Sequence, residues 1–129
     1  MSADDGLRKL FHQNLKRGQW TTIETGAVSL GVPDSEFCFP GGIQGWVEHK
    51  RATGNKLTIR DMQVALIDRR VRLGGRVFIA VKRGKEMFLF HGRDVKRLCV
   101  DGLKGATPLG HWVSPWNWAE VEELLCVGF

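Results

Sequence analysis

The chain has 129 residues, 43% of them hydrophobic, and a formal net charge of +5 from 19 Lys/Arg against 14 Asp/Glu. That length buries a core without metal or disulfide staples, and Cys38, Cys99 and Cys126 are too widely spaced for a zinc site or a disulfide scaffold. No apolar run approaches the roughly 20 residues of a membrane helix, and residues 1–5 lack a signal pattern, so the expectation is one soluble domain in a reducing, cytoplasmic compartment.

In chain order, Leu7, Leu10, Phe11 and Leu15 form an apolar stripe that predicts a helix from about Asp4 to Lys16. Asp4 and Asp5 suit its positive end, and Gly18 suits its stop. Residues 20–25 read as a strand with Trp20, Thr22 and Glu24 on one face. A small-residue loop, 26–32, delivers Pro33 and Asp34. Antiparallel strands near 34–39 and 43–50 follow, joined by Pro40-Gly41-Gly42. After a polar loop, Thr58 is expected to cap a second helix, with Asp61 as its capping-box partner. Ile59, Met62, Leu66 and Ile67 give that helix its stripe, and Gly74-Gly75 ends it. The run Val77-Phe78-Ile79-Ala80-Val81 is a buried strand, paired with 86–90 across a turn at Gly84.

Helix, three strands, helix, strand describes an α/β sandwich around a mixed central sheet with flanking helices, spanning about 4–91. The rest, about 92–129, is expected to be a helical C-terminal extension, its last helix capped by Ser114-Pro115. Trp118, Val121 and Leu125 would face the core or a partner, with Trp112 and Trp116 nearby.

Charge is unevenly spread. Residues 50–104 hold 15 Lys/Arg and five acids, whereas the tail after Pro115 carries Glu120, Glu122 and Glu123 and no base. Such a basic block suits a phosphate backbone. Arg51, Lys56 and Arg60 are the first candidates for DNA contacts, then Lys82 and Arg83, then Lys16 and Arg17.

The basic block adjoins a carboxylate pattern. Asp34 opens one strand, and Glu48 and Lys50 share a face of the next. Metal-dependent phosphodiester cleavage can use that set: two hard oxygen ligands for Mg²⁺ or Mn²⁺, and a lysine reaching the water or the phosphate. Glu24, ten residues before Asp34 on the neighbouring strand, is a candidate third carboxylate, and Glu36 a weaker one.

The ordered set Gly31-Val32-Pro33-Asp34, Gly41-Gly42, Trp46-Val47-Glu48-His49-Lys50, Leu57, Gln63 and Gly74-Gly75-Arg76-Val77 resembles the PD-(D/E)XK nuclease superfamily. Within it, the closest resemblance is to the virus-type replication-repair nucleases (VRR-NUC), over about fifty residues. The resemblance implies a restriction-endonuclease-like αβββαβ core. It implies metal ligation by Asp34, Glu48 and the main-chain carbonyl of His49, with Gln63 supporting the site through hydrogen bonds. Lys50 would orient or deprotonate the water, or stabilise the phosphorane. Ile23-Glu24 resembles a pair in related phage nucleases, whereas other members of the superfamily draw the third acid from the first helix, here Asp4 or Asp5. The implied activity is a Mg²⁺-dependent, structure-specific DNA endonuclease, a Holliday junction resolvase of DNA recombination and repair. It would act as a homodimer, in the host cytoplasm if viral. The alternatives are a nicking or restriction-type endonuclease and a non-catalytic nucleic-acid-binding module.

Overall fold

Alternation along the central strands sorts their side chains onto two faces, and a pair of helices closes each face. The computed structural model describes residues 4–23 and 31–127. Its strands are β1 (Gln19–Thr22), β2 (Ser35–Phe39), β3 (Ile43–Arg51), β4 (Val77–Arg83), β5 (Glu86–His91) and β6 (Gly110–Val113). They form one sheet in chain order, antiparallel throughout except for the parallel pair β3–β4. The helices are α1 (Leu7–Asn14), α2 (Asp61–Arg72), α3 (Val95–Asp101) and α4 (Trp118–Cys126).

Phe37, Phe39, Val47, Phe78, Ala80, Met87 and Leu89 meet Leu7 and Phe11 of α1 and Val121 and Leu125 of α4 on one face. Val77, Ile79, Val81, Phe88 and Phe90 meet Ile67 of α2 and Val95 and Leu98 of α3 on the other. This is an α/β architecture with a mixed sheet between helices. None of the described helices is long and apolar enough to cross a membrane.

The boundaries of α1 and α2 differ from expectation for identifiable reasons. Asp5 and Gly6 take left-handed φ values of 55° and 78°, so α1 starts at Leu7 rather than Asp4. Asp4 stays outside the helix and accepts hydrogen bonds from the N–H groups of Gly6 and Arg8. Helix α2 starts at Asp61, not after Thr58. Its opening N–H, that of Arg60, is satisfied from within by Oε1 of Gln63 at 3.0 Å, so the expected Thr58–Asp61 box is not used. Its buried positions are Gln63 and Ile67, while Met62 is 51% exposed. A polar side chain, Gln63, thus takes the buried place in the first turn that was expected of Met62.

The segment beyond Gly92 is an integral part of the sheet and core. Strand β6 extends the sheet beside β5, and Val121 and Leu125 are fully buried with Leu7 and Phe11. Trp112, Trp116 and Trp118 pack against the same cluster, Trp118 edge-on to Phe11. Asn117 caps α4 by accepting from the N–H of Glu120, in place of Ser114-Pro115. Arg76, just before β4, donates to the carbonyls of Leu125 and Val127 at the end of α4. Residues 24–30, including Glu24 and most of the loop expected before Pro33, lie outside the described residues.

Candidate active site

Strand β2 begins where Ser35 pairs with Val47, so Asp34, just before it, stands beside the continuation of β3. There its carboxylate fills the place of the missing strand. Asp34 Oδ2 accepts from the His49 backbone N–H at 3.2 Å, and Oδ1 lies 2.7 Å from His49 Nδ1. The N–H and C=O of one strand residue leave on the same side, so the His49 carbonyl also faces the Asp34 edge.

Alternation turns Val47 and His49 toward α1, and Glu48 and Lys50 toward α2. On the α2 side, Gln63 ties the two together. Its Nε2 donates to Glu48 Oε2 at 3.1 Å, and its Oε1 accepts from Lys50 Nζ at 2.9 Å as well as from the Arg60 N–H. Lys50 Nζ lies 3.5 Å from Glu48 Oε2. On the α1 side, the His49 ring is fully buried and stands edge-on to Phe11, with centroids 4.6 Å apart.

These groups line a cleft of about 760 Å³ together with Asp4, Arg8, Arg51, Thr58 and Arg60. Glu48 is only 5% exposed. Burial pushes its carboxyl up to about 7, the negative charge of Asp34 adds to the rise, and Lys50 opposes it. Among the described residues its Oε1 has no hydrogen-bond partner, nor has Nε2 of His49. Asp4, Asp34 and His49 bring ligand atoms within 4.8 Å of one another. The carboxylates are hard oxygen donors suited to divalent cations.

Asp34, Glu48, His49, Lys50 and Gln63 therefore meet in one cleft. Of the two helix acids weighed for the third carboxylate, Asp4 lines the cleft, whereas Asp5 is ion-paired with Lys82 at 2.6 Å. Glu36 does not line it.

Among the basic candidates, Arg51 and Arg60 line the cleft, and Lys56 is exposed on the loop between them. Lys82 follows Val81 on β4, directly beside Arg51, and is held by Asp5. The others fall elsewhere. Arg83 pairs with Glu86 at 2.8 Å and reaches the Gly54 carbonyl. Lys16 and Arg17 lie beside Trp118 and Glu122, and Arg17 pairs with Glu122 at 2.7 Å. Arg8 is the cleft residue that sequence reasoning missed. Its signal was the four-residue spacing from Asp4, which would put both on one helical face.

No family model matches this chain, and no curated sequence does. The site's chemistry must therefore be argued from its own geometry.

Proposed function

We propose that this chain is a metal-dependent, structure-specific DNA endonuclease of the PD-(D/E)XK, virus-type replication-repair kind, with a restriction-endonuclease-like fold. Within that class we favour a Holliday junction resolvase. The observation that carries the reading is the single amide of Gln63 bonded to both Glu48 and Lys50, in the cleft that Asp34 enters from the next strand. A buried carboxylate tied to a lysine does little for a purely structural hairpin. It suits a site that must hold a cation and act on a phosphate ester.

Asp34 and Glu48, with the His49 carbonyl, would hold Mg²⁺ or Mn²⁺, and Asp4 offers a further carboxylate within reach. When bound, the cation supplies charge for a phosphoryl oxygen and lowers the pKa of a bound water. The protein's own groups do the rest. The ammonium of Lys50, aimed by Gln63 Oε1, orients the attacking water or takes up charge on the phosphorane. Arg8, Arg51 and Arg60 stand on the cleft walls where flanking phosphates would lie. His49 fixes the Asp34 carboxylate through both its backbone and its ring.

Cleaving a four-way junction symmetrically requires two sites related by a twofold axis, so the active species would be a homodimer. The test is incubation of the purified protein with labelled four-way junction, fork, duplex and single strand, in Mg²⁺ or EDTA, alongside light scattering. Paired incisions of the junction, dependent on Mg²⁺ and lost by at least about 10²-fold in Asp34→Asn, Glu48→Gln and Lys50→Ala, are expected. Wild-type cleavage in any of the three would overturn the assignment. A strict monomer making uncoordinated nicks would leave an endonuclease but not a resolvase.

A further inference from the structure

Asp4, Asp34 and His49 form a donor set on the α1 side of β3, opposite the side on which Gln63 holds Glu48 and Lys50. We propose that this set is a divalent transition-ion site in which the imidazole nitrogen of His49 is a ligand beside the carboxylates of Asp4 and Asp34, so that the cleft favours Mn²⁺-class ions over Mg²⁺.

The geometry is that of a prepared site. Cis ligands of an octahedral ion with bonds of about 2.1 Å lie about 3 Å apart. The 2.7 Å between His49 Nδ1 and Asp34 Oδ1, a hydrogen bond without the ion, fits such a pair after a small expansion once the ion displaces the proton between them. The Asp4 carboxylate completes the trio within 4.8 Å. None of the three is a loose surface chain. Asp4 is 7% exposed, and its two oxygens are aimed by the N–H groups of Gly6 and Arg8 at 3.0 and 3.3 Å. Asp34 is aimed by the backbone of His49. The His49 ring is fully buried against Phe11.

A second, independent observation points to a ligand. Glu48, next along β3 and lining the same cleft, buries Oε1 with no hydrogen-bond partner among the described residues. A carboxylate oxygen stripped of water and of donors is costly unless a cation faces it. Asp34 lies within hydrogen-bond reach of His49 and lines the same cleft as Glu48. An ion held by Asp34 would therefore bring positive charge to both.

The donor chemistry sets the class of ion. Carboxylates alone suit Mg²⁺, Ca²⁺ and Mn²⁺, whereas imidazole adds affinity for the transition series and little for Mg²⁺. Two carboxylates with one nitrogen thus select the middle of that range. Binding of the ion requires nothing of DNA; its part in cleavage rests on the endonuclease reading above.

The test uses the full chain without DNA. Mn²⁺ is titrated by electron paramagnetic resonance, Mg²⁺ is used as competitor, and the bound ion is examined by spin-echo modulation for ¹⁴N coupling. One Mn²⁺ bound with imidazole modulation is expected, displaced only by Mg²⁺ in excess of about tenfold. Asp4→Asn should weaken Mn²⁺ by about tenfold or more while melting normally in EDTA. The wild-type ¹⁴N signal needs no variant, so a misfolded His49→Gln would not decide the matter. Bound Mn²⁺ with no nitrogen coupling, Mg²⁺ binding as tightly as Mn²⁺, or unchanged affinity in Asp4→Asn would overturn the proposal. A nitrogen-coordinated ion in a protein that cuts no DNA would sink the endonuclease reading and leave this one standing. Mg²⁺-supported cutting without nitrogen coupling would do the reverse.

Discussion

At the scale of single residues, Glu48 is the group whose environment works against it. A carboxyl raised to about 7 from an ordinary 4.5 binds its proton more tightly folded than unfolded. Its contribution to stability is therefore complete below about pH 4.5 and is lost as pH rises through about 7. The 2.5-unit difference corresponds to at most about 3 kcal/mol. In EDTA, thermal melts between about pH 5 and about pH 8 should show wild type losing stability that Glu48→Gln does not lose. Parallel pH profiles for the two proteins would remove Glu48 as the source. Gln63 is the other residue at stake, because its amide serves three groups. Gln63→Leu strands Glu48 Oε2, Lys50 Nζ and the Arg60 N–H at once, and should cost about 1–3 kcal/mol in urea denaturation. A loss of a few tenths would show that the bridge is replaceable by water.

At the scale of elements, the approach of the β2 strand to α2 depends on Gly31. It has a φ of +79°, and a Cβ built there would run into the carbonyl of Met62. Gly31→Ala should cost at least about 2 kcal/mol, from left-handed strain and displacement of α2, and should slow cleavage by shifting Asp34 three residues on. Urea melts and cleavage rates of the same variant check both halves. Strands were legible in the sequence where period-two alternation, or an unbroken apolar run, met glycine punctuation. The β2–β3 hairpin turns at Gly41 and Gly42, both at positive φ, and β4 and β5 meet across Gly84. Helix starts were less legible. Thr58 looks like a cap by composition, yet the last N–H before α2 is taken by Gln63, a choice that depends on Glu48 and Lys50 being opposite. The pairing of Asp34 with Glu48 and Lys50 was readable because hairpin spacing fixes it. Asp4, in the turn before α1, and Arg8, in its first turn, reach the cleft only because Leu7 and Phe11 of α1 pack on the sheet, and no local pattern specifies that contact. For the same reason, local charge did not separate Arg51 and Arg60 from Arg17, whose acidic partner Glu122 is brought near only by folding.

For the whole molecule, a net charge of +5 matters less than which basic groups face the cleft. Arg8, Arg51 and Arg60 stand on its walls, beside carboxylates that a cation would offset. On the endonuclease reading, binding of DNA by the Glu48→Gln protein in Mg²⁺ should weaken steeply with salt. Arg8→Ala should lower the slope of log K against log salt by about 1, while Arg17→Ala, paired with Glu122 away from the cleft, should leave it unchanged. Fluorescence anisotropy at several salt concentrations measures both. Equal slopes for Arg8→Ala and wild type would take Arg8 out of the phosphate contacts.

The parallel junction of β3 with β4 divides the chain in another sense. Every cleft-lining residue, from Asp4 to Gln63, precedes that junction's second strand. The later stretch, β4 to α4, supplies the far half of the sheet and much of both cores, and backs the cleft through β4, which pairs with β3 along Glu48–Arg51, and through Lys82 at Asp5. The cleft lining thus comes from one stretch of sequence, and the far half of its scaffold from the other. In a library of random single substitutions, variants that are soluble, fold normally and yet do not cut should map almost wholly to residues 4–63. Inactive variants in 77–127 should be those that fail to fold, and second-site changes that raise the melting temperature should restore them. Folded but inactive variants scattered evenly across both stretches would mean that the later half takes part in the reaction itself.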